Sequence, residues 1–207
     1  SVFFPSIDLA VAGLFFDGAD FPWRDGGLAE FLHELVRPVA VILGVLLTLA
    51  TLLHLWRRTG WRRWAFLLAT LLVGPGLVTN VIFKDNWGRA RPLQVAEFGG
   101  PARFTPALVL SDQCAKNCSF VSGDASFGFW MHSFAYIAPR RRRPLFWAGL
   151  GIGALGGLLR VGMGAHFFSD VVFGGILMLL VSAGLYAALF GQRALAILWR
   201  EFLGVRE

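Results

Sequence analysis

Long apolar runs separated by arginine-rich gaps constrain this chain of 207 residues more than any other feature. A helix needs about 20 apolar residues to cross the hydrocarbon core of a bilayer. Runs of that kind extend from about Val36 to Trp56, Trp64 to Phe83, Phe120 to Ala138 and Asp170 to Phe190. A shorter, glycine-rich run covers Pro144 to Leu159, where small residues suit close helix packing. Another short run, Val2 to Phe16, carries Asp8 and reads as the tail of a longer span or a partly interfacial helix. A polar stretch from Asp17 to Glu34 reads as a loop and then a short helix from about Leu28. The Gly74-Pro75-Gly76 triplet is expected to break the third span, which neighbouring helices can tolerate by re-satisfying the backbone. An amphipathic segment, Ala194 to Val205, follows the last span. The expected architecture is an all-α polytopic membrane helix bundle of about six transmembrane helices, forming one domain over residues 1–207. Apolar residues make up 56% of the chain and charged ones 15%. A soluble domain of this length could not hide that much apolar side chain.

The net charge of +6 comes almost entirely from arginine, 17 residues against two lysines. Arg57, Arg58, Arg62 and Arg63 form one cluster and Arg140 to Arg143 another, each between apolar runs. That is the pattern of short cytoplasmic loops, not of a basic face with exposed aromatics, so no nucleic-acid partner is expected. The clusters can also hold anionic headgroups. No basic n-region or small-residue cleavage site precedes Asp17, so no signal peptide is expected. With both clusters inside, Lys84 to Pro92, Ser119 to Asp124 and Arg160 to Asp170 meet at the outer face. Cys114 and Cys118 share that oxidising side, which favours a local disulfide over two free thiols. They lack His partners for zinc, and no metal-ligand spacing is present.

These stretches carry a consistent chemistry. Phosphoryl transfer needs cations around the equatorial oxygens, an activated nucleophile and a proton for the leaving oxygen. Lys84, Arg91 and Arg160 can supply the cations, arginine through its planar fork. Ser122 and Gly123 lie where a loop enters a helix, so their amides and the Ser122 hydroxyl can cradle an anion. His166 and Asp170, four apart, share a helical face. The carboxylate can fix the imidazole tautomer and leave the other nitrogen to attack.

The three stretches resemble the signature of the type 2 phosphatidic acid phosphatase family. Its first part, a Lys six residues before Arg-Pro, matches at Lys84, Arg91 and Pro92. Its third part matches at Arg160, His166 and Asp170, and its middle part keeps Ser122 and Gly123. The resemblance covers Lys84 to Asp170 and the six-span layout. It implies a bacterial inner-membrane lipid phosphatase without cofactor or metal, its site facing the periplasm. His166 would be the nucleophile and Asp170 its partner; Lys84, Arg91, Arg160, Ser122 and Gly123 would bind phosphate. The partners would be the bilayer and a phosphorylated lipid. Lipid A phosphate, phosphatidylglycerol phosphate, phosphatidic acid and undecaprenyl diphosphate all fit, and nothing in the sequence sets an oligomeric state.

Three positions depart from the signature. Val121 stands for Pro and Leu159 for Ser. Asp124 stands for a second His, which in the family is thought to protonate the leaving group. Ionised, Asp124 would repel phosphate; protonated, it can serve as the acid. A lipid phosphotransferase and a low-activity lipid-phosphate-binding protein therefore stand as alternatives. Arg89 reads as a further phosphate ligand or a partner of Asp85. His33, Glu34 and Arg37 read as a substrate entrance or as a helix end with local ion pairs. His54 and His132 read as packing or interfacial residues.

Overall fold

The computed structural model describes residues 5–25 and 27–203. The start of the first expected span (Ser1 to Phe4), Gly26, and the end of the C-terminal segment (Gly204 to Glu207) lie outside them. The described residues form helices α1 (Pro5–Gly13), α2 (Gly27–Trp56), α3 (Trp61–Lys84), α4 (Gly123–Trp130), α5 (Phe134–Ile137), α6 (Arg142–Gly162), α7 (Phe168–Phe190) and α8 (Gln192–Leu203). Four of them, α2, α3, α6 and α7, are long and apolar enough to cross a membrane. The N-terminal run, expected as the tail of a span or a partly interfacial helix, gives α1, and the Phe120 to Ala138 run, expected as a full span, gives shorter helices. The latter is α4 and α5 joined by a tight turn at Met131–Ser133.

Two boundaries differ from the sequence reading for physical reasons. The short helix expected before the second span is fused to it, because α2 runs through Pro38 without a stop. The Gly74-Pro75-Gly76 triplet widens α3 instead of breaking it. Proline lacks the amide that would close a helical turn and crowds the preceding one. From Leu72 to Lys84 the chain accordingly takes wider, π-type turns. The Asn80 side-chain amide donates to the Pro75 carbonyl at 2.8 Å and keeps that backbone group paired inside the bundle.

The core is built by α4 packed into α6 and α7. A Cβ on Gly153 of α6 would collide with the Phe129 ring, and one on Gly149 with the His132 amide nitrogen. Only bare backbone admits so close an approach, which is what the glycine-rich run supplies. Trp130, fully buried, donates from Nε1 to Thr70 Oγ1 of α3 at 2.9 Å, and Ser133 pairs with Ser182 of α7 at 2.8 Å. The terminal helix α8 closes the opposite end: Phe202 stacks on Phe146 at 4.4 Å, and Arg142 pairs with Glu201.

Each arginine cluster straddles a connection and the first turn of the next helix: Arg57 and Arg58 lie between α2 and α3 with Arg62 and Arg63 opening α3, and Arg140 and Arg141 lie between α5 and α6 with Arg142 and Arg143 opening α6. The start of α2, the end of α3, the start of α4, the end of α6 and the start of α7 therefore share the other end. The connection between Lys84 and Gly123 covers that end. It is tied down by Trp87, whose Nε1 donates to the Ala107 carbonyl at 2.6 Å, and by a disulfide between Cys114 and Cys118, Cα atoms 5.7 Å apart. Gly88 has φ +72°, and a Cβ there would collide with the Ser111 carbonyl, so this turn requires glycine.

Candidate active site

The helix ends described above deliver side chains from five elements to one place. His166 sits in the link between α6 and α7 and is 1% exposed. Its Nδ1 lies 2.7 Å from the Ser119 backbone carbonyl and 3.7 Å from Asp170 Oδ2. A carbonyl only accepts, so Nδ1 carries the proton and Nε2 carries the lone pair. The tautomer expected from Asp170 is thus set more directly by Ser119. Burial pushes the imidazole down to about 4, so it is neutral at physiological pH.

Asp170 is instead the centre of a buried network. Its Oδ2 accepts from the Ser119 hydroxyl at 2.5 Å and from the Phe167 amide at 2.8 Å. Its Oδ1 accepts from Arg89 Nη1 at 2.5 Å. Arg89 also donates to Asp8 Oδ2 at 2.7 Å, to Ser169 Oγ at 2.9 Å and to the Thr105 carbonyl at 2.8 Å, and lies 4.3 Å over the Phe167 ring. Asp8 in turn accepts from the Ser169 amide at 2.8 Å and the Ser169 hydroxyl at 2.6 Å. Arg89 therefore neither faces phosphate nor pairs with Asp85: every arm of its guanidinium is spent on the network, and Asp85 accepts from the Asn117 amide.

The three remaining cations come from separate elements. Lys84 ends α3, Arg91 follows it in the loop and Arg160 ends α6; they are close enough to act on one another's charge. Arg91 Nη2 donates to the Asn117 carbonyl at 2.9 Å, so the disulfide loop steadies it. Partial burial lowers Arg91 from its usual range, which still leaves a cation at any working pH. A Cβ on Gly123 would lie 3.4 Å from Lys84 Nζ, so the ammonium sits over the start of α4. Ser122 Oγ is buried and has no hydrogen-bond partner among the described residues. The Ser122 amide, expected to face an anion, is taken by the Asp170 carbonyl at 3.2 Å. That leaves the Ser122 hydroxyl and the Gly123 amide to serve an anion.

Asp124, on the first turn of α4, has one oxygen between two basic groups: Oδ2 lies 2.6 Å from His33 Nδ1, in a hydrogen bond, and 3.1 Å from Arg160 Nε, in an ion pair without hydrogen-bond geometry. Two cavities meet at this pair, one on either side of α2. One, about 270 Å³, runs between α2, α4 and α6 and is walled by apolar side chains such as Leu35, Phe127, Leu155 and Leu159. The other, about 580 Å³, runs between α2, α3 and α4 and reaches Arg37, Lys84 and Gly123. His33, Val36, Asp124 and Phe127 line both. Among the described residues, no group of three His, Cys, Asp or Glu side chains is placed to hold a metal ion.

Membrane-spanning helices that gather an anion cradle, three cations and a buried neutral histidine at one end define a membrane protein built to handle phosphate esters. Residues 62–194 match the PAP2 superfamily, and the chain belongs to it. It is 39% identical over 198 residues to the lipid A 4'-phosphatase of Francisella tularensis subsp. novicida (strain U112), with 92% of this chain and 89% of the relative covered. It is 33% identical over 211 residues to the lipid A 4'-phosphatase of Rhizobium leguminosarum, with 92% and 90% covered. A Rhizobium etli relative of the same name matches at 33% identity. No solved structure matches the chain. Family and relatives make it a polytopic bacterial membrane phosphatase, a phosphoric monoester hydrolase of the lipid-phosphatase kind.

Proposed function

We propose that this protein removes a phosphomonoester from lipid A, the substrate for which its relatives are named, through a phospho-histidine on His166. The reaction is placed at the periplasmic face of the inner membrane. The observation that carries the mechanism is the 2.7 Å contact between His166 Nδ1 and the Ser119 carbonyl. It commits one ring nitrogen as a donor and leaves Nε2 as the nucleophile. Lys84, Arg91, Arg160, the Ser122 hydroxyl and the Gly123 amide stabilise the equatorial oxygens as negative charge spreads in the transition state. Nε2 attacks phosphorus, the bond to the lipid oxygen breaks, and water later cleaves the phosphorus–nitrogen bond to release phosphate.

The periplasmic placement rests on the arginine clusters, which keep the α2–α3 and α5–α6 connections cytoplasmic and put His166 at the other end. Lipid as substrate is supported by the cavities that flank α2, the apolar one leading to Asp124 and Arg160 and the other to Asp124 and Lys84. Acyl chains can stay in the bilayer while the headgroup reaches the cations. The test is phosphate release from lipid A in detergent, with the lipid product weighed by mass spectrometry. Loss of one phosphate from lipid A, and none with His166→Ala, is the expected outcome. Release from phosphatidic acid or undecaprenyl diphosphate but not from lipid A would overturn the substrate.

A further inference from the structure

A phosphomonoester of a sugar or alkyl alcohol leaves as a poor leaving group unless its oxygen is protonated as the bond breaks. The residue at the expected place for that acid is Asp124, and its contacts are those of an acceptor. Both close neighbours of its Oδ2 belong to basic side chains, His33 Nδ1 in a hydrogen bond and Arg160 Nε in an ion pair. A carboxylate so engaged is held ionised and has no proton to give.

The imidazole is nevertheless present, supplied by another helix. We propose that His33 of α2 is the general acid and base of this phosphatase, positioned by Asp124. The proposal rests on the phospho-histidine reading above. Asp124 accepts from Nδ1, which orients the ring and places an opposite charge beside it when both nitrogens carry protons. Nε2 is then the atom that transfers a proton. Placement agrees with the task. His33 lines both cavities flanking α2, the route by which a lipid reaches the site, so it stands on the leaving-group side. Its side chain is 41% exposed, against 17% for Asp124, which leaves it open to substrate and then to water. Asp124 directly follows Gly123, over which the Lys84 ammonium sits, and pairs with Arg160, so His33 stands beside the cations that would hold the phosphate.

The steps balance. His166 Nε2 donates its lone pair to phosphorus, and the electrons of the breaking phosphorus–oxygen bond go to the lipid oxygen. That oxygen takes the proton from His33 Nε2, leaving a neutral imidazole. A water entering after the lipid departs gives a proton to the same Nε2 as its oxygen attacks phosphorus. The bond to His166 breaks, phosphate leaves, and His33 is again doubly protonated. His33 is thus a catalytic residue and Asp124 a positioning residue.

The experiment uses the full chain in detergent, with lipid A for turnover and orthovanadate as the phosphate mimic for binding. His33→Gln keeps a donor for Asp124 but cannot exchange a proton. Its kcat is expected to fall on the order of 10²–10⁴-fold, the usual contribution of a positioned acid, with vanadate affinity within about threefold of wild type. In His33→Ala, added imidazole is expected to restore part of kcat, which a purely structural role does not allow. Turnover of His33→Gln within about threefold of wild type would overturn the proposal. So would a loss that appears in vanadate affinity in step with kcat. A wild type inert on lipid A, phosphatidic acid and undecaprenyl diphosphate alike would remove the proposed reaction and this proposal together. A wild type that is active, with His166→Ala dead and His33→Gln undiminished, would remove His33 alone.

Discussion

Arg89 Nη1 stands 2.5 Å from Asp170 Oδ1, with neither side chain exposed at all. That pair joins the loop after α3 to the start of α7, and Asp8 extends it to α1. Arg89 is accordingly a strut beneath the site, holding Asp170 and through it the Ser119 hydroxyl and the Phe167 amide on either side of His166.

Removing Arg89 leaves Asp8 and Asp170 facing each other as buried, uncompensated carboxylates. Breaking a buried pair in this way costs about 3–5 kcal/mol. Arg89→Ala is expected to lower thermal stability in detergent strongly, whereas Asp8→Asn, which keeps an acceptor and removes the surplus charge, is expected to cost much less. Equal melting temperatures for Arg89→Ala and wild type would contradict the network.

In the proposed reaction, Arg160→Ala and Arg91→Ala would each delete a charged donor to phosphate. Charge-assisted hydrogen bonds contribute about 1.5–3 kcal/mol, so vanadate affinity is expected to fall roughly 10- to 150-fold in each variant. Arg160→Lys restores charge but not the fork and is expected to recover only part of the loss. Unchanged affinity in both alanine variants would show that these side chains do not meet at one anion.

The disulfide loop reaches the site through the Asn117 carbonyl, which receives Arg91. Replacing both Cys114 and Cys118 by Ser is expected to raise KM for lipid A while moving kcat less, because His166, the proposed nucleophile, is held by Ser119. A kcat loss without any change in KM would contradict this link.

His166 binds its proton more weakly in the fold than in the unfolded chain, at about 4 against an ordinary 6.5. Between those values the unfolded chain takes up a proton that the folded chain refuses. Stability is therefore lost as pH falls through that window and is fully present above it. His166→Gln lacks this loss, so its melting temperature is expected to gain on wild type as pH falls from neutral towards 4. Parallel curves for the two proteins would contradict a buried, neutral His166.

Much of this organisation is legible in the sequence. Apolar runs and arginine clusters locate the long helices and their common end, because a bilayer imposes length and sidedness on any chain that crosses it. The three motif stretches locate Lys84, Arg91, Ser122, Gly123, Arg160, His166 and Asp170. What the sequence withholds is contact between distant elements. Asp8 to Asp170 and His33 to Asp124 are pairings across the bundle that no local spacing encodes. One signal was available: a carboxylate inside an apolar run, such as Asp8, needs a buried partner. Arg89, two residues from Arg91, gives no such hint, because its partners Asp8, Ser169 and Asp170 lie on α1 and α7, far from it in sequence. Likewise the Gly74-Pro75-Gly76 triplet reads as a break and the stretch from about Leu28 as a separate short helix, whereas Asn80 repairs the first and α2 runs through the second.

The most direct test of the central claim is to trap the enzyme during turnover of lipid A and map the phosphate by peptide mass spectrometry. An acid-labile, alkali-stable phosphate on the peptide containing His166, absent from His166→Ala, is the predicted result. Rapid turnover with no covalent phosphate at any time, or a phosphate on another residue, would contradict it.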